Sequence, residues 1–181
     1  IIGLSNPMMS GFYAMLAGAS DVYLVKDDLV INLLTQKEGD FRDLTIFSGK
    51  VEEVNDIVIQ EGKKKATLVR NPQGMWLLMP QGRIVPQDQV ERLLKQFKNP
   101  IVNRTVAIKP KKMIAYGLHK PKMLVKFKLT NDTTEQFAFG TASGNSVYLY
   151  PSETQTVYEV SNVLTKMIKE IRSTGNADLH L

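Results

Sequence analysis

At 181 residues, with 43% apolar and 23% charged side chains, the chain has the make-up of an ordinary soluble globular protein, not of a disordered chain, a membrane bundle or a collagen-like fibre. Its net charge of +5 is mild, and the lysines scatter (Lys63–Lys65, Lys109, Lys111, Lys112, Lys120, Lys122, Lys126, Lys128) instead of forming one stripe between aromatics, which argues against dedicated nucleic-acid binding. The absence of cysteine excludes disulfides, Cys-based zinc sites and thiol catalysis.

No run approaches the ~20 apolar residues that span a bilayer. The opening "IIGLSNPMM" has neither an initiator Met nor a basic leader, and it reads as the start of an excised piece whose anchor could lie upstream. In chain order, Phe12–Leu16 and Val22–Val25 are short β-prone runs split by the turn-prone Ala17-Gly18-Ala19-Ser20. Asp27 or Asp28 is placed to cap a short helix whose Leu29, Val30, Leu33 and Leu34 share a face. The polar "TQKEGDFRDL" follows and ends in the β-prone "TIF". "DIVIQEG", "KATLVRN" and "GMWLLMP" then predict a β-meander, joined by the turn sequences "GKKK" and "NPQG".

The spacing of Val90, Leu93, Leu94 and Phe97 predicts an amphipathic helix over 88–98, with Asp88 and Glu91 as a capping box, Glu91 and Lys95 as an i,i+4 pair and Pro100 as the stop. "IVNRTVAI" reads as extended, and "KKMIAYGLHKP" as a helical turn closed by Gly117. "KMLVKFKLTNDTTEQFAFG" predicts a hairpin in which Met123, Val125, Phe127 and Leu129 face inward and Lys126 and Lys128 outward. "SVYLY" and "TVYEV" add two strands. Ser161 then caps a helix over 161–172 carrying Val163, Leu164, Met167, Ile168 and Ile171, and the tail 173–181 reads as frayed.

One phrase occurs twice. Val22, Tyr23 and Val25 match Val157, Tyr158 and Val160 at an offset of 135, and Tyr13 matches Tyr148 at the same offset. Each copy follows a Gly/Ser-rich loop and runs into an amphipathic helix, so residues 1–36 echo 138–172. The echo implies either a duplicated unit or a chain cut from a tandem array.

The order of these pieces, "SGFYAMLAGASDVYLV", "DFRDLTIF", "GMWLLMP", "YGLHKP" and "SVYLYPSETQTVYEV", resembles the bacterial domain-of-unknown-function family 4340 from about Gly3 to Ile171. The resemblance implies an extracytoplasmic (periplasmic) protein, attached to the cytoplasmic membrane through a segment missing from this chain. It also implies genes beside ABC-type transporter components akin to those of gliding motility. The family brings no activity and no catalytic residue to carry over. The hairpin turn "NDTT" departs from the expected Gly-containing turn.

Enzyme chemistry finds little footing. The two histidines are His119, in a turn, and the penultimate His180, and there is no G-x-S-x-G elbow, Walker A loop or G-x-G-x-x-G. The acidic pairs Asp27–Asp28, Glu52–Glu53 and Asp40 with Asp43 are sequence neighbours in polar surroundings, a poor basis for paired acid–base work. No catalytic, cofactor or metal site is therefore expected.

Two groups stand out structurally. Asp40, Arg42 and Asp43 bracket Phe41 as charges that pin a loop, and Trp76, Met75 and Met79 serve as core or as a partner contact. The expectation is a single α+β domain over 1–172, with a mainly antiparallel sheet of short strands, two principal helices and an internal strand-strand-helix repeat. It would act as a non-catalytic protein-binding or scaffold module in an envelope assembly, of open oligomeric state; the alternative is a small hydrophobic-ligand or lipid-binding domain.

Overall fold

A computed structural model describes residues 1–6, 8, 11–28, 30, 31 and 44–174. The architecture is α+β, built from antiparallel sheets of short strands and two principal helices. Where the sequence reading places one domain over 1–172, the chain gathers into two compact units, Ile1–Asp43 and Leu44–Leu181.

The first unit holds a three-stranded antiparallel sheet, β1 (Ile2–Asn6), β2 (Gly11–Met15) and β3 (Val22–Lys26), in that order. Strand β1 lies in what the sequence reading treats as loop, because Gly3 and Ser5 dilute its apolar signal. Residues Asp27, Asp28, Val30 and Ile31 are helical, with Val30 buried. Asp27 and Asp28 thus sit inside the helical turn, not ahead of it.

Among its described residues, the second unit holds one nine-stranded antiparallel sheet and two α-helices. Its strands are β4 (Val54–Glu61), β5 (Lys64–Arg70), β6 (Trp76–Met79), β7 (Arg83–Ile84), β8 (Val102–Ile108), β9 (Met123–Leu129), β10 (Thr134–Ser143), β11 (Ser146–Pro151) and β12 (Thr156–Ser161). The helices are α1 (Gln87–Lys98) and α2 (Val163–Thr174). The strand order is β7-β6-β5-β4-β9-β10-β11-β12-β8, and apart from β8 at the far edge it is palindromic about the β4/β9 seam. Each half is a four-stranded meander leading into a helix: β4–β7 with α1, and β9–β12 with α2. This repeated arrangement is broader than the sequence echo.

Alternation along the strands decides the faces. Ile57, Ile59, Val125, Phe127, Phe137, Phe139, Val147 and Leu149 point to one side and are buried. There they meet Val90, Leu93, Leu94 and Phe97 of α1 and Leu164, Ile168 and Ile171 of α2 in one core. Phe97 sits at its centre, its ring 4.8 Å from Phe127 and 4.7 Å from Phe137. The α1 stripe and Leu164, Met167, Ile168 and Ile171 of the α2 stripe thus face the sheet, while Val163 is exposed.

On the opposite face, a smaller cluster forms where Met113, Tyr116 and Leu118 lie over Leu124, Ala138, Tyr148, Tyr150 and Val157. Gly117 closes that turn with φ 65°, a left-handed value that its missing Cβ permits. Gly140 has no room for a side chain: a Cβ there would strike the Tyr116 carbonyl and crowd Leu118.

Two local expectations are corrected. The "TIF" run forms no strand; Ile46 and Phe47 are buried side chains on an irregular segment. Helix α1 starts at Gln87 after Pro86 with no side-chain cap, and Asp88 instead pairs with Arg92 at 2.8 Å.

The echo itself is structural. Tyr13 opposes Leu24 in β2–β3, and Tyr148 opposes Glu159 in β11–β12, so the two hairpins share one register at the 135-residue offset.

Candidate functional site

The outer face of the sheet differs between its two halves. Over β9–β12 it is covered by the 113–118 turn. Over β4–β7 it runs in rows fixed by strand register: Ile84, Leu77, Val69, Asp56 and Lys128 in one, and Met79, Thr67, Val58 and Lys126 in the next. The face therefore grades from apolar at the β6–β7 edge to charged at the centre. Ile84 is 67% exposed and Met79 43%, while Leu77 and Val69 are half-buried.

The sequence-marked Trp76, Met75 and Met79 divide accordingly. Trp76 is 3% exposed and belongs to the helix-facing core, while its backbone N–H donates to Gln87 Oε1 at 2.9 Å. Met75 and Met79 are exposed. Strand β6 is thus core on one face and open on the other. Ile84 was not marked, because two residues between turns give no periodic signal. Asp40, Arg42 and Asp43 lie outside the described residues.

The charged centre is internally matched. Lys128 bonds Asp132 at 3.0 Å and stands opposite Asp56, and the bond to Asp132, with that carboxylate's charge, holds the ammonium protonated above its ordinary range. A cleft of about 380 Å³ beside it is lined by Asn55, Asp56, Arg70, Asn71, Lys128 and Asp132. Arg70 Nη1 donates to the Glu52 carbonyl at 3.1 Å, which fixes that wall. The lining is polar and of both signs.

At the far edge, Arg104 Nε donates to Glu159 Oε2 at 2.8 Å. That hydrogen bond holds the Glu159 carboxyl below its ordinary range and the guanidinium above its own. His119 is exposed in the bend before β9.

The buried carboxylate Glu135 was not foreseen by the sequence reading. It accepts from Ser48 Oγ at 2.6 Å, Gly49 N–H at 2.8 Å and Ser48 N–H at 3.1 Å. Lys98 Nζ reaches the carbonyls of Phe47, Ser48 and Gly49 at 3.1–3.3 Å from the other side. Together they hold residues 47–49 where "TIF" would otherwise need a ladder. Among the described residues, no three His, Cys, Asp or Glu side chains gather as metal ligands would.

What the fold and these surfaces define is an α+β module with a repeated meander-and-helix arrangement, polar clefts and an apolar sheet edge. The chain belongs to the family described as Domain of unknown function (DUF4340), which matches residues 1–99 and, overlapping, 76–175. Each matched segment stops one residue beyond a helix, α1 ending at Lys98 and α2 at Thr174, so the family unit closes on the helix that follows its meander. No curated protein and no solved structure matches the chain.

Proposed function

We propose that the chain is a non-catalytic scaffold module that binds another protein on the extracytoplasmic side of a bacterial membrane, as an accessory part of an ABC-type envelope transport system of the gliding-motility kind. The observation that carries this reading is the open outer face at β6–β7. Ile84 and Leu77 of one row and Met79 of the next form an apolar patch beside a charged centre in which Lys128 is paired with Asp132, the pattern of a docking patch with a polar rim. Methionine at such an edge suits a partner surface, because its unbranched thioether repacks easily. The resemblance of the sequence to membrane-anchored family members supplies the compartment and the transport context.

The hydrophobic-ligand reading draws less support, since the clefts of about 380 Å³ and 120 Å³ are lined largely by polar side chains.

Photo-crosslinking in the native host tests the proposal. A crosslinker at Met79 or Ile84 should join the protein to a component of a membrane transport assembly, and one at Glu91, on the exposed side of α1, should not. Equal capture from all three positions, or capture of no envelope protein, would overturn it.

A further inference from the structure

The three-stranded sheet matches part of the large one more closely than the sequence echo implies. Strands β2–β3 share the register of β11–β12 at an offset of 135. The match extends to β1, at an offset of 137. Ile2 opposes Ala14, Ser5 opposes Phe12 and Asn6 opposes Gly11, as Phe139 opposes Leu149, Ala142 opposes Val147 and Ser143 opposes Ser146. Both pairs slip register at the same place, between Ile2 and Ser5 and between Phe139 and Ala142, and each irregularity holds a glycine, Gly3 or Gly140. A bulge is a specific, position-dependent feature. Its recurrence at matching positions identifies β1–β3 as a second casting of β10–β12.

The two castings differ in what covers them. Val157 is 0% exposed and its counterpart Val22 is 62% exposed; Tyr158 is 3% and Tyr23 is 53%. In the large sheet, β8 pairs along the outer edge of β12, placing Ala107 opposite Val157 and Thr105 opposite Tyr158. The turn after β8 then lays Tyr116 edge-on against Tyr148, ring centroids 5.4 Å apart, and presses its carbonyl onto Gly140. Among the described residues, β3 is an edge strand of the small sheet, Tyr13, the counterpart of Tyr148, is 43% exposed, and Gly3 has no neighbour closer than 3.4 Å to an added Cβ. Glycine is thus present at the bulge in both copies, but only one has the close approach that demands it. A run of Val22-Tyr23-Leu24-Val25 on an open edge, apolar on both faces and free of proline, is also a strong template for a further strand.

We propose that the open edge of β3, with Tyr13 and Gly3, is a docking site for a strand-and-turn segment of the same kind as residues 102–118. The segment runs antiparallel along β3 and folds an aromatic turn over Gly3. Its chemistry follows from the counterpart residues. Leu24 stands where Glu159 pairs with Arg104, so the docked strand carries an apolar residue at the position that β8 gives to Arg104. Main-chain hydrogen bonds supply the binding, and the apolar alternation supplies the register.

Hydrogen exchange tests this on an extended form of the whole chain. A second copy of residues 101–137, carrying Arg104→Leu in that copy, is inserted directly ahead of Ile1. By the 137-residue offset, Ile1 then follows as Ala138 follows Phe137. Exchange across Val22–Lys26 should slow by about tenfold or more relative to a chain carrying a scrambled insert. Amides of Thr156–Ser161 should not change, which checks that the large sheet is intact. Gly3→Val in the extended chain should remove most of the slowing, because its side chain meets the turn. Equal exchange with the true and scrambled inserts overturns the proposal, as does slowing that survives Gly3→Val. Protection of β3 in the unextended chain that rises with protein concentration also overturns it, by assigning the edge to a second copy of the chain.

Discussion

Glu135 is a carboxylate held in a place that water scarcely reaches, and it is stable there because three donors from residues 48 and 49 converge on its two oxygens. Glu135→Ala leaves those donors without their acceptor and should cost about 2–3 kcal/mol in urea unfolding, with Glu135→Gln milder because one carbonyl remains. Gly140→Ala should be comparably harmful, about 1–3 kcal/mol, because the new methyl meets backbone that cannot swing aside. The Arg104–Glu159 pair makes a gentler test. The hydrogen bond from Arg104 depresses the folded-state value of Glu159, so its contribution is present above the ordinary carboxylate range and fades as pH falls through the depressed value. In an NMR titration, Glu159 should titrate below the ordinary glutamate range of an unfolded peptide, and Arg104→Met should return it toward that range. Neither Glu135 nor Gly140 announces its role in the sequence. Each depends on contacts with segments that come close only in the folded chain.

The elements with a strong period were legible, and the reason shows in what they touch. Val90, Leu93, Leu94 and Phe97 are all buried because a 3.6-residue period presents them to one flat surface, and the alternating hairpin of β9 and β10 behaves likewise. Phe97→Ala removes the ring around which Phe127 and Phe137 are packed and should cost about 3–5 kcal/mol, read as a fall in the urea midpoint without a change in slope. Illegible elements were those whose hydrogen bonds are paid to side chains or to distant strands. "TIF" has strand propensity, but Glu135 and Lys98 satisfy the backbone beside it, so burial of Ile46 and Phe47 wins without a ladder. Strand β7 is two residues long and exists because Leu77 and Leu78 of β6 offer it an edge. Its outward Ile84 was therefore invisible to periodicity, although it anchors the apolar row on which the proposed binding function rests.

At the scale of the whole molecule, the short phrase shared by Tyr13–Leu34 and Tyr148–Ile168 was the visible part of a larger duplication. Val157 and Val160 share their identity with Val22 and Val25 at the 135-residue offset, whereas the β4–β7 meander repeats only the order of the elements. Palindromic strand order has an energetic consequence. With β4 against β9 at the centre and α1 against α2 on one face, the two halves share a single core whose buried members all lie between Ile46 and Ile171. Neither half owns enough of that core to be stable by itself, since Phe97 of one packs on Phe127, Phe137 and Phe139 of the other. A fragment of residues 44–174 should therefore fold and unfold in one cooperative transition, with far-UV and near-UV signals coinciding through urea. Fragments 44–99 and 100–174 should each lack fixed tertiary packing and regain it only when mixed. Independent folding of either half, or separate transitions within 44–174, would show that the seam between β4 and β9 joins two finished domains instead of completing one.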